Sequence, residues 1–254
     1  MSTFAETIDA TPVFNTVEIP FRQLPLKKDD QKLIRATETI LFPGTKCRIV
    51  KELSDNVIQI ETEEYPSHNP LYADRRFFKD INSKDPEREK KLPSSQTILN
   101  RLEGLVGTRY FWGGIWENGI DHMLEVYPQL QEASAEDQDD AICKGVDCSG
   151  LLYRVTNGIT PRNTSDLIKY GEELPLQDLS AKEVQEQLKP LDLLVWKGHI
   201  LIVLTPSTLI ESRGGDGVVI SDFLKRYAEI TQLLKQQNKT LYFRRWHPDF
   251  LQKN

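Results

Sequence analysis

The stretch Gly145-Val146-Asp147-Cys148-Ser149-Gly150-Leu151-Leu152 sets a cysteine between an acid and a Ser-Gly pair, directly ahead of an apolar run. The run continues through Tyr153 and Val155 and meets a turn signal at Asn157-Gly158, which predicts a helix that begins at Cys148. A thiol at a helix N-terminus with an imidazolium nearby has its pKa drawn from ~8.5 into the range ~3.5 to 7.5, where thiolate is available as a nucleophile. Packing is the default role of a lone cysteine. The reading of Cys148 therefore turns on whether a base and an orienting group stand elsewhere in the chain.

Four histidines are present: His68, His122, His199 and His247. His199 opens the apolar run "HILIVLT", where a polar ring is costly to bury without a partner, so it is the natural general base. A base needs a third polar group to orient it. Glu211 stands between Ile210 and Ser212 in "TLIESR", twelve positions after His199, on what reads as the next strand. Neighbouring antiparallel strands bring such a pair side to side, and a carboxylate there would hold the imidazole tautomer and stabilise its charged form.

Around this constellation the chain reads as α+β. "SSQTILNRLEGLVG" has helical spacing behind a Ser94 or Ser95 cap, and the run after residue 190 alternates short strands with one further helix, "LKRYAEITQLLKQQ". Residues 16–60 are rich in β-branched residues and turn signals, which predicts a small all-β barrel or sandwich. "YPSHNPLYADRRFF" reads as a packed loop, and "QEASAEDQDD" as a solvated acidic loop. The charged, proline-punctuated "KDINSKDPEREKKLPSSQ" reads as a linker, so the expected domains are 1–80, a linker at 81–93, and 94–254.

Composition narrows the function classes. A net charge of −6 without a basic stripe argues against nucleic acid. The first residues lack a positive n-region and an apolar h-region, and no apolar run is long enough to span a bilayer, so a soluble, cytoplasmic protein without a membrane partner is expected. Three cysteines, Cys47, Cys143 and Cys148, cannot all pair, which fits a reducing compartment. No cluster has metal-ligand spacing, so neither metal nor cofactor is expected.

In order, "GTRYFWGG", "GVDCSGLLYRV", "LDLLVWKGHILIVL" and "LIESRGG" resemble the NlpC-type cell-wall peptidases, over roughly Ser94 to Trp246. These are papain-like cysteine enzymes that hydrolyse peptidoglycan stem peptides. The resemblance implies Cys148 as nucleophile, His199 as base and Glu211 in the third position, which in the family usually holds His, Asn or Gln. It also implies Tyr110 beside the thiol as an oxyanion donor. "TPRNTSDLIKYG" is similar to the segment that binds a free N-terminal amine in members cleaving after L-alanyl-γ-D-glutamate. That similarity implies Ser165 and Asp166, with Asp147 and Ser149 flanking the cysteine, as substrate-binding residues. Such members carry an N-terminal SH3-like domain, from which Glu63 or Glu64, here taken as Glu64, would cap the amine. The implied partner is a peptidoglycan-derived peptide and the implied bond is γ-D-glutamyl-diaminopimelate. Another amidase of the same fold, or a catalytically silent wall-peptide-binding protein, is the alternative.

Overall fold

A computed structural model describes residues 3–251, and the chain forms two compact units. The first comprises residues 1–90 and 111–146, the second residues 91–110 and 147–254. The chain thus passes between units at three points, where the sequence suggested boundaries at 80 and 94. Residues 81–90 belong to the first unit because they are tied to it. Lys46 Nζ donates to the carbonyls of Ser83 and Asp85, at 2.8 and 2.7 Å, and Arg88 pairs with Glu64 at 2.5 Å.

In the first unit seven strands make one antiparallel sheet: β1 (Thr3–Thr7), β2 (Thr11–Phe14), β3 (Thr37–Leu41), β4 (Lys46–Glu52), β5 (Val57–Glu61), β6 (Leu71–Asp74) and β7 (Phe78–Ile81). Their order is β3-β2-β6-β5-β4-β1-β7, with β3 and β7 at the two edges. The sheet is not closed, so the barrel expected from the sequence is not the observed pairing. β6 falls in the stretch read as a packed loop, and β7 starts at its last residue and runs into the stretch read as a linker. The aromatics and arginines there mask the alternation, and Arg76 turns its charge inward onto the buried Asp74, at 2.8 Å. The acidic stretch is also less solvated than its composition suggests. Lys28 pairs with Asp137 and, at 2.6 Å, with Asp140, which is buried. A short ladder, β8 (Ile115–Trp116) with β9 (Gly145–Val146), leads the chain up to Asp147.

The second unit is an antiparallel sheet with helices around it. Its strands are β10 (Glu172–Glu173), β11 (Leu193–Trp196), β12 (His199–Thr205), β13 (Thr208–Arg213), β14 (Gly217–Asp222) and β15 (Tyr242–Arg245), ordered β10-β15-β11-β12-β13-β14. β12 is buried from Ile200 to Leu204, as a central strand covered on both faces should be. By strand alternation His199, Leu201 and Val203 share a face with Leu209 and Glu211. Leu201, Val203 and Leu209 pack there in one apolar cluster with Phe223, Tyr227 and Ile230 of the helix Phe223–Gln237.

The helix Cys148–Val155 has seven of its eight residues buried. It packs on β12 and β13 and against the helix Ser95–Gly104, which Ser94 caps by accepting from the Thr97 N–H. Arg101 of that helix donates to the Val155 carbonyl at 2.9 Å, putting a cation where the C-terminal carbonyls of Cys148–Val155 gather. Among the described residues no helix is long and apolar enough to cross a membrane.

The segment that carries Tyr110 is zipped to β14. Gly107 N donates to Val218 O at 2.9 Å, and Val218 N to Thr108 O at 2.8 Å. Gly217 sits at this seam with φ +71°, and a Cβ there would lie 2.2 Å from the Thr108 carbonyl oxygen. Gly215, in the same hairpin, has φ +88° with open space around it. Gly217→Ala should therefore lose at least ~2 kcal/mol in chemical denaturation, from clash and strain together, whereas Gly215→Ala should lose only the ~1 kcal/mol of backbone strain. Equal losses would show that the seam yields freely.

Candidate active site

Asp147 starts the helix that begins with the candidate nucleophile. Its backbone is extended, with φ −86° and ψ −177°, and its Oδ1 accepts from Gly150 N at 2.6 Å, as an N-cap does. The buried Arg162 grips the same carboxylate with both ends of its fork, at 3.0 and 2.6 Å, and donates to Ser149 Oγ at 2.9 Å. Asp147 and Ser149 are thus joined in one buried network that fixes the first turn. The N–H groups of that turn have no partner within the helix. Cys148 itself is 8% exposed, and its Sγ–H donates to the Gly198 carbonyl at 3.9 Å.

Gly198 is the second half of the two-residue loop Lys197-Gly198 that joins β11 to β12, with Trp196 and His199 as the closing pair. Its φ of +109° is open to glycine and strained for other residues, although a Cβ would meet nothing within 4 Å. Three groups converge on this residue. Its carbonyl accepts from Cys148, its N–H donates to Thr164 Oγ1 at 3.0 Å, and His199 follows it in the chain. The imidazole lies 5.2 Å from the Trp196 ring, centroid to centroid.

His199 Nε2 meets Glu211 Oε2 at 2.7 Å, and Glu211 is 1% exposed. Burial pushes the Glu211 carboxyl up, but hydrogen bonds from His199 and Arg226 outweigh it and hold the group at about 2. An ionised carboxylate only accepts, so Nε2 is the nitrogen that donates to it. The Cys148 thiol is displaced the other way. Burial, and after it the Asp147 charge, push it up to about 12, against the pull of Arg162 and the Ser149 N–H. The sequence pointed to a depressed thiol. The balance here runs the other way, because burial outweighs the pull of Arg162 and of the Ser149 hydrogen bonds.

The other residues singled out in the sequence fall as follows. Tyr110 is half-buried at the end of the segment zipped to β14. Ser165 and Asp166 are exposed on the short helix Thr164–Leu167, next to the Thr164 hydroxyl that holds Gly198. Glu64 belongs to the first unit, where Arg88, Lys90 at 3.5 Å and the Thr45 hydroxyl at 3.3 Å surround its carboxylate. Arg162, Thr164 and Arg226 were not foreseen. A buried glutamate on an apolar strand does signal a counter-ion, but nothing local in the sequence says which of the chain's basic residues supplies it. All three cysteines are buried free thiols, and among the described residues no group of His, Cys, Asp and Glu could hold a metal ion.

No family model and no curated relative matches this chain. Solved structures resemble it at low identity. An NlpC/P60 family protein from Bacillus cereus ATCC 10987 is 15% identical with TM-score 0.39, over 97% of this chain and 64% of that one. NlpC2 from Trichomonas vaginalis is 11% identical with TM-score 0.37, over 97% and 73% of the two chains. RipD from Mycobacterium tuberculosis, described as a non-catalytic NlpC/p60 domain protein adapted to peptidoglycan binding, is 18% identical with TM-score 0.37, over 59% and 95%. At such scores the likeness decides neither the fold nor the chemistry of this chain, and both rest on its own residues.

Two measurements follow from the electrostatics. Glu211 ionises at about 2 in the fold against an ordinary glutamate value of 4.5, so between these values the unfolded chain binds more protons than the folded one. Its stabilisation is therefore complete above pH ~4.5 and is lost as pH falls toward 2, on the order of 2–3 kcal/mol. Denaturation of wild type and Glu211→Gln at stepped pH should show that component in their difference, and a flat difference would contradict it. Iodoacetamide labelling of the free protein should show Cys148 reacting faster as pH rises above 8. A plateau already reached near pH 6 would mean that the thiol is ionised after all.

Proposed function

We propose that the protein is a cysteine peptidase that hydrolyses peptidoglycan stem peptides. The observation that carries this reading is the chain of contacts from the Cys148 thiol to Gly198, and from His199 to the buried, ionised Glu211. A nucleophile at a helix start, a base at a strand start and an acceptor for that base are the parts that acyl transfer needs, and Gly198 links the first two through the chain.

In this reaction Cys148 Sγ attacks the amide carbonyl carbon as its proton passes to His199 Nδ1. Glu211 stabilises the resulting imidazolium. The Cys148 backbone N–H and the Tyr110 hydroxyl are the donors for the oxyanion. His199 then returns the proton to the leaving amine as the C–N bond breaks, which leaves a thioester on Cys148. Water, deprotonated by His199, adds to that thioester and releases the acid and the free thiol.

The substrate we propose is a freed muropeptide with N-terminal L-alanine, cut between γ-D-glutamate and a diamino acid such as meso-diaminopimelate. Ser165 and Asp166 would meet its amine, and their exposure beside the Gly198 loop supports their availability. The β-rich first unit would act as an SH3-like accessory domain.

L-Ala-γ-D-Glu-diaminopimelate is incubated with wild type, Cys148→Ala and His199→Ala, and products are read by mass spectrometry. Wild type should release L-Ala-D-Glu, and each variant should lose about 10³-fold or more. Absence of Cys148-dependent cleavage overturns the peptidase reading; tripeptide binding without turnover would then point to a silent binding protein. Equal cleavage of an N-acetylated substrate removes the amine role of Ser165 and Asp166.

A further inference from the structure

Glu211 is an ionised group in an apolar sheet, and His199 balances its charge only while the imidazole is protonated. A neutral imidazole, the form that can act as a base, leaves that charge to be compensated from elsewhere. It comes from the helix Phe223–Gln237. Asp222 caps that helix by accepting from the Lys225 N–H at 2.9 Å, which sets Arg226 in the first turn, on the side that faces β13. Arg226 Nε donates to Glu211 Oε1 at 2.6 Å and Nη2 to Oε2 at 2.9 Å. Oε2 is the oxygen that also receives His199 Nε2 at 2.7 Å.

Among the described residues, a further charged group facing the carboxylate is Arg213 on β13 itself, at 3.7 Å from Oε1. Each arginine is partly neutralised by a second acid, Arg226 by Glu229 at 3.0 Å and Arg213 by Asp216 at 2.6 Å. The cluster therefore holds Glu211 ionised without adding a large positive charge against the imidazolium that forms during catalysis.

The geometry points to Arg226 as a positioning residue. Its fork holds the Glu211 carboxylate in place as a pure acceptor, and so fixes the proton on His199 Nε2 and the basic lone pair on Nδ1. The alternative is specific. A protonated Glu211 could donate to Nε2, which would place the imidazole proton on Nδ1 and block the nitrogen that must take the thiol proton. Arginine suits the task because its planar fork fixes the orientation of both carboxylate oxygens, whereas lysine supplies a point charge.

The catalytic part of this inference rests on the proposed peptidase reading, while the tautomer part does not. The experiment therefore uses two readouts on the full chain, for wild type, Arg226→Gln, Arg226→Lys, Glu211→Gln and the double variant E211Q/R226Q. With ¹⁵N-histidine labelling, wild-type His199 should show a protonated Nε2 and an unprotonated Nδ1 at neutral pH, and R226Q should show a mixture. With the tripeptide, R226Q should lose about 10- to 100-fold in kcat at pH 7 with KM within about two-fold, and the acidic limb of its pH profile should move. R226K should recover part of the loss. The double variant should be no worse than E211Q, because both changes remove one unit.

An R226Q protein with wild-type His199 nitrogens and pH limb, even one that melts lower, would make Arg226 a merely structural residue and overturn the proposal. If R226Q does not fold, R226K decides: unchanged nitrogens and limb refute the role of the fork. If the wild type cleaves nothing, the peptidase reading fails and the nitrogen shifts still decide the tautomer.

Discussion

A single buried carboxylate constrains the second unit. Leaving Glu211 ionised and unpaired among Leu201, Val203 and Leu209 would cost several kcal/mol. Charge-assisted hydrogen bonds contribute about 1.5–3 kcal/mol each, so the two from Arg226 and the one from His199 are of the size needed to offset that cost. The requirement reaches outward from there. β13 must present Glu211 on the face it shares with His199, and the helix Phe223–Gln237 must lie close enough for Arg226 to reach it. Phe223 and Tyr227 of the same helix bury their rings against that face, so apolar packing and charge compensation fix one placement together.

The other fixed point is the Lys197-Gly198 loop. A hairpin of two residues leaves its closing strands little freedom, and the positive φ at Gly198 sets the direction of both backbone groups there. The N–H goes to Thr164 and the carbonyl to the Cys148 thiol, so two separate helices are held to the residue next to His199. A substitution at Gly198 would act through the backbone alone, since a Cβ has room. The cysteine end is secured independently, because Arg162 ties Asp147 and Ser149 into a buried network around the first turn.

Much of the second unit was legible because its signals are local. The apolar run from Ile200, the Asn157-Gly158 stop and the 3.6-residue spacing after Ser94 each predict an element without knowledge of the rest, and a polar residue within an apolar strand marks Glu211 as unusual. The partners were not legible. Arg162 is reached from Asp147 over fifteen residues of chain, and Arg226 from Glu211 likewise, so pattern reading shows only basic residues on a loop and on an amphipathic helix. The first unit was harder for a different reason. Residues 111–146 pack with 1–90, and a discontinuous unit has no compositional boundary. Lys28 and Asp140, one hundred and twelve positions apart, are each unremarkable alone.

The displaced thiol changes how the site must work. Burial pushes the Cys148 thiol up to about 12, which favours the neutral thiol as the form from which the proposed reaction starts. Arg162 already meets the Asp147 charge, which leaves burial as the larger obstacle to ionisation. On the proposed peptidase reading, the proton would then leave Cys148 as the S–C bond forms, when negative charge moves away from sulfur onto the carbonyl oxygen. Under that regime the fixed charge that matters is the one that favours imidazolium over imidazole. That charge is the Glu211 carboxylate, already ionised and hydrogen-bonded before the substrate reacts, so the orienting position contributes more here than it would beside a preformed thiolate. A neutral amide in that position could accept from Nε2 through its oxygen or donate to it through its NH2, and would not supply the charge. With so reluctant a thiol, a glutamate held by arginine is the chemically consistent occupant.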